Sequence, residues 1–264
     1  MYKGPVSDAA AAVLVEARDR KLYITLNRPE VLNAQNEAVR DGVVSAVDRL
    51  EDDPDLLVGI ITGVGGRAFS AGADLKEARD NPTPRSRPRP FYARPAWAHF
   101  ERLRWAAKPL IAAIDGHCLG GGLEIANYCD IRVATESSSF GQPEPRTTGG
   151  TAGPALHQLC RMIPLGEALL MQLTSQPITA RRAYEIGLVQ RLCPDREAML
   201  AETDAVADQM IECNPDALRT IKRVVQWGRE MTSEQAEKMD IFSAEARWRT
   251  TTGETSGWER PARP

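Results

Sequence analysis

The 264-residue chain is 42% hydrophobic and 26% charged, an ordinary balance for a globular protein with a sizeable core. With 33 Lys and Arg against 36 Asp and Glu, its net charge is −3. That balance gives no general reason to expect nucleic acid or an anionic membrane as partner, so any phosphate-bearing ligand must be met by local charge.

Five scattered cysteines, odd in number and without a CxxC pair, argue against a disulfide scaffold and a zinc site. The opening MYKGPVSDAA has no apolar signal core, and no apolar run approaches the roughly 18 residues of a membrane span. Cytoplasm is the expected location.

In chain order, AVLVEAR and KLYITLN alternate around Asp19-Arg20 and predict a β-hairpin. Asn36 is placed to cap a helix running to Glu51, with Val39, Val43, Ala46, Val47 and Leu50 on one face. LLVGIIT, PLIAAIDG and CDIRVAT are short continuous apolar runs and predict buried strands. The first opens into GVGGRAFSAGADLKEAR, the second into three consecutive glycines, Gly120 to Gly122, and then a helix. Repeated strand–loop–helix units indicate an α/β domain with an at least partly parallel sheet. Between them, NPTPRSRPRPFYARP (81–95) is too rich in proline for a regular helix. It reads as a solvated surface loop, or as a lid whose arginines meet phosphates while Phe91, Tyr92 and Trp97 border a pocket. After about residue 155 helices dominate. Thr179 caps ARRAYEIG, Gly187 ends it before a short LVQRL strand, and 195–249 reads as two or three amphipathic helices. The division is then a core over 1–194 and a helical region over 195–264.

Chemistry concentrates in the two glycine-rich loops. Each follows a buried strand and precedes a predicted helix start, so both can present backbone N–H groups at one sheet edge, aided by a helix dipole. Two such donors aimed at one oxygen make an oxyanion hole. Glu124 follows the glycines on the first helical turn, where acids also serve the dipole alone. Glu144 stands between Pro143 and Pro145, a context that predicts extended backbone and either a fixed acid or a surface turn.

AFSAGADLKE, then KPLIAAIDGHCLGGGLEIANYCDIRVAT, then FGQPE, in that order, resemble the enoyl-CoA hydratase (crotonase) family, and the likeness runs from NRPEVLNA to ITARRAYEIGLVQRL. The resemblance implies a spiral of ββα repeats with a C-terminal helical region that builds homotrimers, commonly paired into homohexamers. It implies that the N–H groups of Ala73 and Gly121 hold the thioester carbonyl of an acyl-CoA. Glu124 would orient and deprotonate water, and Glu144 would deliver the α-proton, the two acids titrating as a coupled pair. Such a hydration needs no metal or redox cofactor, since coenzyme A arrives with the substrate. Ala71 and Lys76 match positions near the adenine end of coenzyme A, and Arg28 is a candidate phosphate contact; Lys76 and Arg28 read equally as solvated charges. His117 and His157 read as packing or surface residues.

The chain departs from the family at PRTTGGTAGPALHQL, beside the expected acyl pocket, in the Pro/Arg segment, and at its end, GWERPARP. Those departures leave other branches open, an isomerase or a hydrolase working through the same oxyanion hole. Rival readings are a serine hydrolase, from Ser70 in the near-elbow AFSAG, and a dinucleotide module, from GVGGRA after a strand. A crotonase-fold scaffold or RNA binder is disfavoured by the acidic balance and by retention of both carboxylates.

Overall fold

The computed structural model describes residues 11–80, 98–150, 153 and 156–238. The Pro/Arg segment 81–95, with Phe91 and Tyr92, lies outside the described residues, as do Trp97 and the chain end.

The hairpin forms as expected from β1 (Val13–Arg18) and β2 (Lys21–Leu26). Asp19 and Arg20 close it at φ of 50° and 62°, the primed type of two-residue turn whose twist suits the flanking strands. Helix α1 (Glu37–Asp52) begins where Asn36 accepts from the Val39 N–H at 3.0 Å, and the five apolar residues named above are its buried face.

Three units of one design follow. The first is β3 (Val58–Gly63), β4 (Ala68–Ser70) and α2 (Leu75–Asp80). After α3 (Ala98–Arg104) comes the second, β5 (Leu110–Ile114), β6 (His117–Leu119) and α4 (Gly121–Tyr128). The third is β7 (Ile131–Thr135), β8 (Ser139–Gly141) and α5 (Glu144–Thr147). The first strand of each unit enters one sheet and the second enters another, so the chain winds as a ββα spiral. Beyond it lie α6 (Leu156–Met162), α7 (Leu165–Thr174), β9 (Ile178–Thr179), α8 (Ala180–Glu185), β10 (Arg191–Cys193), α9 (Arg196–Ile211) and α10 (Pro215–Gly228).

The larger sheet has the order β1-β2-β3-β5-β7-β10, parallel from β2 onward; the smaller has the order β4-β6-β8-β9. Both faces of the larger sheet are covered. Ile60, Ile111, Ala113 and Val133 pack with Met199, Val206 and Ala207 of α9. Ile61, Ala112 and Ile114 join the main cluster with Val43 of α1 and Leu123 and Ile125 of α4. Burial on two faces is why these strands read as continuous apolar runs and not as alternating ones. Among the described residues, no helix is long and apolar enough to cross a membrane.

One local expectation is corrected. Glu144 is not extended but opens α5, with Pro143 at the N-cap and Pro145 in the first turn. A proline near a helix start forfeits no hydrogen bond, because the first amides have no intrahelical acceptor, and this outweighs the usual bias of a pre-proline residue.

Candidate active site

The two glycine-rich loops meet. Loop 71–74, after β4, is held by a parallel bridge between Ala73 and Gln35. The Gln35 N–H donates to the Gly72 carbonyl at 2.8 Å, and the Asp74 N–H donates to the Gln35 carbonyl at 3.2 Å. The bridge therefore uses the groups on either side of the Ala73 N–H and leaves that amide without a partner among the described residues. Ala73 is exposed. Opposite it, Gly121 is the first residue of α4, where a backbone N–H has no intrahelical acceptor and the dipole end is positive. A Cβ on Gly72 would stand 2.9 Å from the Gly121 nitrogen, so the two loops touch at the backbone.

The three glycines each have a reason. Gly120 sits at φ +52°, and a Cβ there would meet Glu144 Oε1 at 2.8 Å. At Gly121 it would meet Gln35 Oε1 at 2.9 Å, and at Gly122 the Ser70 carbonyl oxygen at 2.3 Å. Any side chain in this run would displace a component of the site.

Both acids are linked to Gly120, Glu124 through its backbone and Glu144 through its carboxylate. Glu124 is 3% exposed, and its N–H donates to the Gly120 carbonyl at 3.0 Å. Its carboxylate lies against Gly153, where a Cβ would be 2.8 Å from Oε1. Glu144 comes from the other side, its Oε1 against Gly120 and its Oε2 buried without a hydrogen-bond partner among the described residues. Burial raises the Glu144 carboxyl above its ordinary value, opposed by a backbone hydrogen bond. The expected coupled pair located such a shift in repulsion between the acids; for Glu144, desolvation is the leading cause.

Arg28 is neither solvated nor free. Its Nη1 donates to the Ala34 carbonyl at 2.7 Å and to Asp74 Oδ2 at 2.9 Å. Asp74 also caps α2, accepting from the Lys76 and Glu77 amides at 3.1 and 3.2 Å. Burial tends to raise the Asp74 carboxyl, but the Arg28 hydrogen bond and these amides outweigh it and hold the group low. Lys76 is exposed at the start of α2, with no ion-pair partner among the described residues. The Ala71 N–H is taken by the Leu32 carbonyl at 2.9 Å.

The rival readings lose their geometry. Ser70 is fully buried, its hydroxyl donating to the Asn33 carbonyl at 2.8 Å and accepting from the Gly72 N–H at 3.2 Å. A nucleophile so engaged has neither access nor a base. After β3 the GVGGRA segment turns into β4 and not into a helix, so the geometry of a dinucleotide fingerprint is missing. His117 and His157 are exposed.

Two polar residues beside the amides escaped the sequence reading. Gln35 is 3% exposed and His99 1% exposed, and their side chains meet with His99 Nε2 and Gln35 Oε1 3.1 Å apart. Gln35 stands next to the helix cap Asn36, where a polar residue is unsurprising. His99 falls on the apolar face of α3, and a titratable residue at such a position was the available signal.

A cavity of about 410 Å³ opens at the far end of α4, lined by Asn127, Tyr128, Arg132, Met162, Lys222 and Trp227 among others. Neither acid lines it.

Comparison with known proteins agrees with this geometry. Residues 17–254 match the enoyl-CoA hydratase/isomerase family. Enoyl-CoA hydratase EchA19 of Mycobacterium tuberculosis is 37% identical over 227 residues, 86% of this chain and 85% of its own length. The short-chain-enoyl-CoA hydratase of Clostridium acetobutylicum is 34% identical over 218 residues, covering 82% and 81%. The crystal structure of enoyl-CoA hydratase EchA1 from Mycobacterium marinum superposes with a TM-score of 0.78 at 36% identity, over 92% of this chain and 94% of that one. With its family match spanning most of the sequence and its spiral shared with solved members, the chain belongs to the enoyl-CoA hydratase/isomerase family.

Proposed function

We propose that the protein adds water across the double bond of a 2-enoyl-CoA thioester to give a 3-hydroxyacyl-CoA. What supports this reading is that Glu144 Oε1 lies against Gly120, that the buried Glu124 sits on the first turn of the helix opened by Gly121, and that the Ala73 loop touches the Gly121 nitrogen through Gly72. The amides receive the thioester oxygen, which draws electrons from Cβ and stabilises the enolate that forms on attack. Glu124 takes a proton from water as the water oxygen bonds to Cβ. The double-bond electrons move toward the carbonyl, Glu144 gives its proton to Cα, and the thioester carbonyl re-forms. Return of the proton from Glu124 to Glu144 completes the cycle. A carboxyl with a raised affinity for its proton suits the acid role, which supports giving that role to Glu144. No electron changes owner in this sequence, so it runs without a redox cofactor.

Ala71, on the loop after β4, and Lys76, at the start of α2, we assign to the adenine end of coenzyme A. Arg28 we assign to holding that loop through Asp74. We further read the protein as a homotrimer or homohexamer. Leu165, Leu169 and Leu173 of α7 are 60%, 42% and 76% exposed at helical spacing, and Ile221 and Val225 of α10 are each 59% exposed, so each helix presents an apolar stripe that another subunit could cover.

The test is loss of the conjugated-thioester absorbance with a panel of 2-enoyl-CoA substrates. Glu124→Gln and Glu144→Gln should each lower hydration by about 100-fold or more while thioester binding persists. An isomerase of the same fold would move the double bond without adding water, a product that mass separates. Turnover in either variant equal to the parent's removes that acid from the mechanism.

A further inference from the structure

Gln35 touches both loops carrying the amide donors, as does its neighbour Ser70, whose hydroxyl takes the Gly72 N–H and whose carbonyl lies against Gly122. The Gln35 main chain grips loop 71–74 on both sides of Ala73, through the Gly72 carbonyl and the Asp74 N–H. Its side-chain amide lies flat against Gly121: a Cβ there would be 2.9 Å from Oε1 and 3.3 Å from both Cδ and Nε2. Its side chain thus braces the two loops beside the backbone contact of Gly72 with Gly121, provided that the side chain is itself fixed.

A buried chain of hydrogen bonds fixes it. The Ser70 hydroxyl donates to the Asn33 carbonyl at 2.8 Å, so its oxygen must accept from the Gln35 Nε2 group at 3.3 Å and from the Gly72 N–H at 3.2 Å. This turns Gln35 Oε1 toward His99 Nε2, which at 3.1 Å must carry the ring proton. The ring stays neutral: burial holds its pKa down to about 3, and the charge of Arg40 pushes the same way. His99 Nδ1 is buried and unpartnered among the described residues, so a second proton there would find no acceptor. Every proton in the chain His99–Gln35–Ser70–Asn33 therefore has one direction.

We infer that Gln35 is a positioning residue for the oxyanion hole, clamping the Ala73 loop to the Gly121 helix start, and that His99 holds its amide in the working orientation. The inference rests on the thioester reading above and deepens it, because an oxyanion hole acts only if its donors are set before charge develops. Misplacement by about 1 Å through a group that never touches substrate can lower a rate about 100-fold.

The test compares Gln35→Leu, which keeps the volume and loses the hydrogen bonds, with the parent enzyme. Three quantities are read: kcat and KM for an enoyl-CoA, the ultraviolet absorbance of the enolate of bound acetoacetyl-CoA, and the Kd of free coenzyme A. We expect kcat to fall by about 100-fold with KM little changed, the enolate band to weaken, and coenzyme A to bind as before. An unchanged kcat and enolate band overturn the inference, as does a parallel loss of coenzyme A affinity, which would mark general loosening. If Gln35→Leu does not fold, His99 decides. His99→Leu should weaken the enolate band and His99→Gln, which restores an N–H toward Gln35, should recover it; equal bands in the two variants overturn the inference. Should the parent hydrate no enoyl-CoA, the hydratase reading fails, while the enolate band still decides the role of Gln35 with any thioester that binds.

Discussion

Burial raises the Glu144 carboxyl, and its Oε2 has no partner among the described residues, so the charged form is poorly solvated in the folded protein. The folded state binds the proton more tightly than the unfolded chain. Its contribution to stability is then complete below the ordinary value of 4.5 and disappears as pH rises through the raised folded value. Glu144→Gln should accordingly raise the melting temperature at pH 7 to 8, with the difference closing as pH falls below about 4.5. Thermal melts across that range check it; equal melting temperatures at neutral pH would mean that the carboxylate is not strained. Asp74 has the opposite sign. Held low chiefly by Arg28, it stabilises the fold above its unfolded value and loses that contribution as pH falls through the folded one.

Among elements, the seating of α4 on β4 leaves no room at the site. An alanine at Gly122 would press its methyl group against the Ser70 carbonyl, a backbone atom that cannot rotate away. Gly122→Ala should destabilise the protein by about 1–3 kcal/mol, measured by denaturant unfolding, and an unchanged midpoint would mean that α4 can shift at no cost. The elements legible from sequence were those with a strong local signal. The Asn36 and Thr179 caps, the apolar face of α1 and the buried runs of β3, β5 and β7 all announce themselves within a few residues. The smaller sheet did not. Strands β4, β6 and β8 are three residues each, too short for a period, and exist because the spiral lays successive turns in register. The pair Gln35 and His99 was equally illegible, since 64 residues separate its members and only the packing of α3 beside α1 joins them. Glu144 was found by its motif, but its backbone was misread because a proline pair at a helix start looks locally like an extended segment.

At the scale of the whole molecule, the spiral explains why the amides and acids converge. Successive turns stack β4, β6 and β8 side by side, so the segments leaving these strands emerge at one edge of the smaller sheet and bring Ala73, Gly121 and Glu144 together. The exposed leucines of α7 we assign to assembly. Leu169→Glu with Leu173→Glu should reduce the mass found by light scattering toward that of a single chain; an unchanged mass would remove α7 from the interface. All of the proposed chemistry depends on the Ala73 and Gly121 amides polarising a thioester carbonyl. Infrared difference spectroscopy of a bound enoyl-CoA carrying ¹³C at that carbonyl reads the polarisation itself. The C=O stretch should shift to lower wavenumber than for the same thioester in water. A bound thioester whose stretch does not move would contradict the oxyanion hole and the hydration built on it.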